Sequence, residues 1–194
     1  AGTTISTQPV ASTLCAGNTV NFSVTASGTG TLSYQWKKDG TNVGTNSASL
    51  SIANTQAANA GTYTVDVTGS CGTVTSNNAL LTVNPLTSIS TQPVITTPCM
   101  GQTVSMSVTA SGTTPLSYQW KYGGVNISGA TAATYSISNA SSSNDGSYLV
   151  SVTGGCGSVN SNAAVLAVEA LPVVTANATS SVVCPGETLT LTGG

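Results

Sequence analysis

The sequence predicts an all-β protein: two β-sandwiches joined head to tail, with the start of a third. Three observations carry this. The segment Leu32-Ser-Tyr-Gln-Trp-Lys37 returns letter for letter at Leu116 to Lys121, and the chain around it repeats with a period of about 85 residues, which sets the architecture before any single residue is read. Apolar and polar residues alternate with a period of two, the pattern of half-buried strands. No stretch sustains a helical period, and Thr55 to Ala60 has room for one helical turn at most.

The repeat divides the chain into residues 1–84, 85–169 and a truncated third copy, 170–194. In the first copy Val20, Phe22 and Val24 alternate with Thr19, Asn21 and Ser23. Tyr34 and Trp36 follow, then Leu50 and Ile52, then Tyr63, Val65 and Val67, and finally Ala79, Leu81 and Val83. The second copy runs Val104, Met106, Val108; Tyr118, Trp120; Tyr135, Ile137; Tyr148, Val150, Val152; Ala164, Leu166, Val168. Clusters of Gly, Asn, Ser and Asp separate these runs, as sandwich connections require. About 85 residues is enough for a small sandwich with a modest core.

Only 4% of residues are charged, with three lysines, no arginine and no histidine. Disorder does not follow, because 39% hydrophobic residues in clean alternation bury a core and the net charge is only −2. That charge gives no electrostatic footprint for nucleic acid or anionic lipid. No apolar run approaches the roughly 20 residues that span a bilayer, and no signal peptide is visible, so an export signal is expected upstream.

The order of signals resembles the immunoglobulin-like sandwich. A Gly-x-x-Val-x-Phe-x-Val strand (Gly17 to Val24) is followed twelve residues later by Trp36. Asn59-Ala-Gly-Thr-Tyr63-Thr-Val65 is similar to the family's Asp-x-Gly-x-Tyr-x-Cys signature, and Asn144-Asp-Gly-Ser-Tyr148-Leu-Val150 repeats it. The resemblance implies that Trp36 and Trp120 are core residues. It also implies that Tyr63 and Tyr148 are tyrosine corners, each hydroxyl bonded to backbone a few residues upstream. Two departures are informative. Asn59 and Asn144 stand where the family often has an acid paired with arginine, and this chain has no arginine; an unpaired buried carboxylate is costly. The usual inter-sheet cysteines are replaced by Val24 and Val65, and by Val108 and Val150.

The five cysteines sit elsewhere, at fixed places in the repeat: Cys15, Cys99 and Cys184 in Cys-x-Gly, Cys71 and Cys156 in Cys-Gly. No Cys-x-x-Cys pair suggests zinc. Disulfides are the better reading, and they imply an oxidising compartment. In the resembled fold Cys15 lies in the first turn and Cys71 at the tip of the last hairpin, roughly 30 Å apart at about 3.3 Å per residue. A disulfide needs Cα atoms about 5.5 Å apart. Stacking the units head to tail across the short junction Val83-Asn-Pro-Leu86 instead sets Cys15 against Cys156. Inter-unit pairing is therefore preferred, with partners for Cys71, Cys99 and Cys184 outside this chain. Bridges within a unit, free thiols and links between chains remain the alternatives.

Candidates for chemistry are few. Without histidine there is no Ser-His pair. Asp39, Asp66, Asp145, Glu169 and Glu187 are scattered and do not recur between copies, so neither a glycosidase pair nor a calcium loop is expected; Glu169 reads as a solvated linker residue. Lys37 and Lys121 point outward by strand alternation, which argues against a buried isopeptide bond. Trp36 and Trp120 read as packing rather than sugar platforms, and Tyr122 alone is a weak binding signal. No catalytic, cofactor or metal residue is assigned. Four Asn-x-Ser/Thr matches arise readily by chance in such a composition.

The repeats further resemble the bacterial immunoglobulin-like modules of long secreted surface proteins, especially type IX-secreted adhesins and gliding-associated proteins of the Bacteroidota. That resemblance implies an extracellular stalk, adhesin or fibre. The expected partners are neighbouring repeats of the same chain, identical chains in a filament, or a surface glycan or protein. The residues themselves describe a weakly charged, disulfide-stapled rod without an active site. The alternative is a carbohydrate-binding or spacer module of a secreted enzyme.

Overall fold

A computed structural model of the chain describes residues 2–170, 176–178 and 191–193. Cys184 and Glu187 lie outside the described residues. The N-terminal sandwich runs β1 (Thr4–Thr7), β2 (Ser12–Cys15), β3 (Val20–Ser23), β4 (Thr25–Ser27), β5 (Ser33–Lys38), β6 (Thr41–Val43), β7 (Ser49–Ile52), β8 (Gly61–Gly69), β9 (Gly72–Thr75) and β10 (Ala79–Asn84). A single 3-10 turn, Ala57–Asn59, stands where the sequence allowed one helical turn.

One layer is built from the β1–β4 and β3–β7 pairings, with β3 and β4 consecutive along the chain and Val24 bonding Ala48 between them. The other layer is ordered β2-β10-β8-β5-β6, with β9 also on β8. The inward sides of both layers supply Val20, Phe22, Val24, Trp36, Leu50, Tyr63, Val65, Val67, Ala79 and Leu81. Period-two alternation thus becomes one core, and Trp36 at its centre has no exposed surface.

The second sandwich repeats the plan in β11 (Ser88–Thr91), β12 (Val104–Ser107), β13 (Thr109–Ser111), β14 (Ser117–Tyr122), β15 (Val125–Asn126), β16 (Thr134–Ile137), β17 (Gly146–Gly154), β18 (Gly157–Asn160) and β19 (Ala164–Leu166). Beyond it β20 (Ala176–Ala178) pairs antiparallel with β21 (Leu191–Gly193).

The copies differ in two instructive ways. First, the edge strand β2 has no counterpart in the second sandwich. In the first, β2 runs parallel to β10 over four residue pairs, Leu81↔Ser12 to Asn84↔Cys15. In the second only the isolated bridge Cys99↔Glu169 remains. The cause is Pro98 at the position of Leu14. Met100 N–H donates to Glu169 O, and Glu169 N–H to Pro98 O. Donors alternate along such a ladder, so the next one upstream of Met100 belongs to residue 98, and proline has no N–H. Glu169, read from sequence as a solvated linker residue, is exposed in side chain but holds this last bridge with its backbone.

Second, the core aromatic changes strand. Phe22 faces Leu50 across the β3–β7 ladder, and Met106 faces Tyr135 across β12–β16. The ring that Phe22 stacks on Tyr63, centroids 4.9 Å apart, is supplied in the second copy by Tyr135, 6.2 Å from Tyr148. One aromatic and one aliphatic residue fill the same space from opposite sides.

Candidate functional site

The feature with consequences beyond packing is the junction between the sandwiches. Cys15 ends β2 and opens a tight turn. Gly17 takes a φ of 86°, a left-handed conformation that residues with a Cβ adopt only at a cost. Ala16 N–H donates to Asn84 O (2.9 Å), Gly17 N–H to Thr55 O (2.7 Å) and Asn18 N–H to Cys15 O (3.3 Å). Thr55 is fully buried, and both its N–H and its hydroxyl bond Asn18 O. The turn that carries Cys15 is therefore fixed from three sides.

Cys156 occupies the tip of the β17–β18 hairpin, between Gly154 and Gly157, which pair directly. Gly155 N–H donates to Thr113 O (2.8 Å) and the Thr87 hydroxyl to Gly157 O (2.7 Å). The Thr113 hydroxyl donates to Pro85 O (2.9 Å), tying the hairpin's neighbour to the linker. Across the junction Cys15 and Cys156 form a disulfide, with Cα atoms 5.6 Å apart and a sequence separation of 141. The Cys15 sulfur also lies 4.0 Å from Gly155 O; a disulfide sulfur carries no proton, so this is packing rather than a hydrogen bond. Cys71 and Cys99 are free thiols and exposed.

The other residues singled out by the sequence serve the fold. Trp36 and Trp120 are buried, each indole N–H donating at 2.9 Å to a backbone carbonyl, Ser47 and Ala132 respectively. The Tyr63 hydroxyl donates to Asn59 O (2.7 Å) and that of Tyr148 to Asn144 O (2.8 Å). Burial raises the Tyr63 pKa, with the nearby Asp39 charge adding to it. The Tyr148 phenol is pushed up to about 12, first by burial and then by Tyr122, Tyr135 and Asp145. The two asparagines cap the 3-10 turns: Asn59 Oδ1 accepts from Gln56 N–H and Asn144 Oδ1 from Ser141 N–H.

Lys37 is not simply solvated. It lies 2.7 Å from Asp66, and this contact, with the Thr75 hydroxyl, holds the Asp66 carboxyl below its usual range. Sequence reasoning missed the pair because β5 and β8 meet only on folding, in the register Gln35↔Asp66 and Lys37↔Thr64. Asp39 is also lowered, chiefly by the Thr62 N–H it accepts. Tyr122 packs on Tyr148 with centroids 5.0 Å apart and donates to Asp145 O, so its ring is engaged within its own sandwich. A further device had no sequence signal beyond recurrence: Gln8 Oε1 accepts from Asn77 N–H where β9 gives way to β10, and Gln92 does the same for Asn162. Among the described residues no group of three or more His, Cys, Asp or Glu side chains is placed to hold a metal, and no helix is long and apolar enough to cross a membrane.

Residues 3–83 match the family model of the immunoglobulin I-set domain. The cell adhesion molecule DSCAML1 of Homo sapiens is 26% identical over 190 residues, covering 91% of this chain and 9% of that protein. The chain thus spans about a tenth of the length of the curated relatives it matches. Among solved structures, an I-band fragment of titin superposes with a TM-score of 0.69 at 18% identity, over 88% of this chain and 66% of that one. The insect immune protein hemolin gives 0.64 at 18% identity, over 86% and 47%. At these identities the structures speak for the fold, which is tandem immunoglobulin-like β-sandwiches.

Proposed function

We propose that the chain is a structural, adhesion-type segment of an extracellular protein, built as a stiff rod that carries tension through its cross-link and performs no catalysis. The observation that carries this reading is the disulfide between Cys15 and Cys156. Immunoglobulin-like units on short linkers ordinarily move relative to one another. Here the covalent bridge and the linker hold the junction at two points, which restricts hinge motion.

Where the bridge sits along the chain matters as much. A pull on the two ends enters through β1 and β2, crosses the sulfur atoms and leaves through β18 and β19. Nearly all of both sandwiches lies inside the loop of 141 residues and bears no load while the bridge is intact. A disulfide favours an oxidising compartment, and the likeness to a cell adhesion molecule supports an extracellular setting. The low charge and recurring cysteines fit a secreted surface repeat of bacterial type. The units are residues 1–84 and 85–169, with a third beginning at 170, and the nearest partners are neighbouring immunoglobulin-like repeats.

The test is single-molecule extension of the chain held at its ends. The oxidised protein is expected to lengthen only by the segments outside the loop. Reduction should release roughly 480 Å more, at about 3.4 Å per residue. Full extension of the oxidised protein would overturn the reading.

A further inference from the structure

The outer faces of the two sandwiches carry the two halves of the junction between them. Cys71 occupies the hairpin tip of the first sandwich, as Cys156 does in the second. Cys99 occupies the first turn of the second sandwich, as Cys15 does in the first. Each tip or turn repeats the backbone bonds of its bonded counterpart, although the ladder that leads into Cys15 is reduced before Cys99 to a single bridge.

At the hairpin tips, Gly69 pairs with Gly72 as Gly154 pairs with Gly157. The Thr3 hydroxyl donates to Gly72 O (2.9 Å) as that of Thr87 does to Gly157 O (2.7 Å). Ser70 N–H donates to Thr29 O as Gly155 N–H does to Thr113 O. Thr68 and Thr73 share a hydroxyl hydrogen bond of 2.7 Å, and so do Thr153 and Ser158. The Ser70 hydroxyl lies over Gly30 of its own sandwich, and Cys71 is exposed.

At the first turns, Met100 N–H donates to Glu169 O (2.8 Å) as Ala16 does to Asn84 O. Gly101 N–H donates to Ala140 O (2.7 Å) as Gly17 does to Thr55 O, and Gln102 N–H to Cys99 O (3.2 Å) as Asn18 does to Cys15 O. The φ of Gly101 is 87° against 86° for Gly17. The unbonded thiols are thus presented in the geometry that already makes a disulfide one repeat away, and both are exposed.

We infer that the chain is self-complementary head to tail, Cys99 of one copy joining Cys71 of the next as Cys15 joins Cys156 within the chain. Such a contact is heterologous: two different surfaces meet, so growth gives a linear fibre rather than a closed dimer. The bond forms by exchange with a small-molecule disulfide such as oxidised glutathione. One cysteine thiolate attacks it and releases one glutathione thiol. The other cysteine attacks the resulting mixed disulfide and releases the second. The two protein thiols lose two electrons and two protons, and the reagent becomes two thiols.

This inference rests on the reading of the chain as a structural segment, and its test separates the two. The full chain carrying Cys184→Ser, which removes the remaining cysteine, is incubated with a glutathione redox buffer and resolved by non-reducing electrophoresis and peptide mapping. A ladder of multiples joined by Cys71–Cys99 peptides is expected. Adding Cys71→Ser or Cys99→Ser should leave only monomer, with Cys15–Cys156 intact. Monomer carrying glutathione on both cysteines, or dimers joined through like cysteines, would overturn the inference. The monomer fraction is then measured by small-angle scattering: a stiff monomer without a ladder overturns head-to-tail joining alone, whereas a freely hinged oxidised monomer overturns the structural reading.

Discussion

At the residue scale, each copy anchors its core with the same two polar atoms buried among apolar ones. The Trp36 indole N–H and the Tyr63 hydroxyl bring large rings into the interior and still reach backbone carbonyls. Tyr63→Phe keeps the ring but leaves the Asn59 carbonyl without its donor. It should cost about 1 kcal/mol, read as a lower denaturation midpoint with an unchanged slope. The two copies should also respond differently to pH. Because Lys37 and Thr75 lower the Asp66 pKa, that carboxylate stabilises the first sandwich above the ordinary carboxylate value of about 3.9. The contribution is lost as pH falls through the lowered folded value. Ser151 occupies this place in the second sandwich, bonded to Asn160, and does not titrate. In the Cys15→Ser background, where the units are expected to melt separately, Asp66→Asn should therefore flatten the acid limb of the first unit's melting curve and leave the second unchanged, as scanning calorimetry would show. Both units contribute to the alkaline limb, because burial raises the Tyr63 and Tyr148 phenols alike. The Tyr148 phenol, at about 12, favours the folded state fully below the ordinary tyrosine value of about 10 and loses that contribution as pH rises through the folded value. Tyr148→Phe should weaken this dependence and leave the Tyr63 share, measured by melting temperature against pH.

At the scale of elements, strand positions were legible in the alternation, whereas strand pairing was legible only in part. Nothing local in the run Ile95 to Cys99 says that it loses its ladder, until Pro98 is set against the donor pattern of Met100 and Glu169. Pro98→Leu should restore the missing N–H. The amide of residue 98 is then expected to become protected in hydrogen exchange. The net gain in stability should stay under about 1 kcal/mol, since the new hydrogen bond is offset by the greater freedom of the unfolded chain. The exchanged aromatics make a second test. Phe22→Met in the first sandwich removes the ring stacked on Tyr63, and should cost about 1–3 kcal/mol as a core change of volume and shape. Leu50→Tyr on the facing position should recover part of that loss. A double-mutant cycle by chemical denaturation, with a coupling energy of at least about 0.5 kcal/mol, is the expected result; strict additivity would mean that the two positions fill separate spaces.

At the scale of the whole molecule, the bridge converts two small sandwiches into one covalent loop. In the chain-entropy account, closing 141 residues restricts the unfolded chain by about 5 kcal/mol. Cys15→Ser should therefore lower the melting temperature and allow the two units to unfold separately, seen as two calorimetric transitions in place of a coupled one. By itself the sequence determined the fold class and the repeat, because alternation and spacing are local quantities that a strand reads directly; the core tryptophans and the tyrosine corners followed from the family resemblance. It also confined Cys15 and Cys71 to opposite ends of a sandwich, since chain length along a strand is fixed by backbone geometry. Only the tertiary structure decided what lies across a ladder: Lys37 beside Asp66, Tyr135 in the place of the Phe22 ring, and the edge strand lost at Pro98. It also fixed the contact between the Cys15 turn and the Cys156 hairpin. These depend on register and on how two sandwiches abut, which are set by the packing of surfaces far apart in the chain.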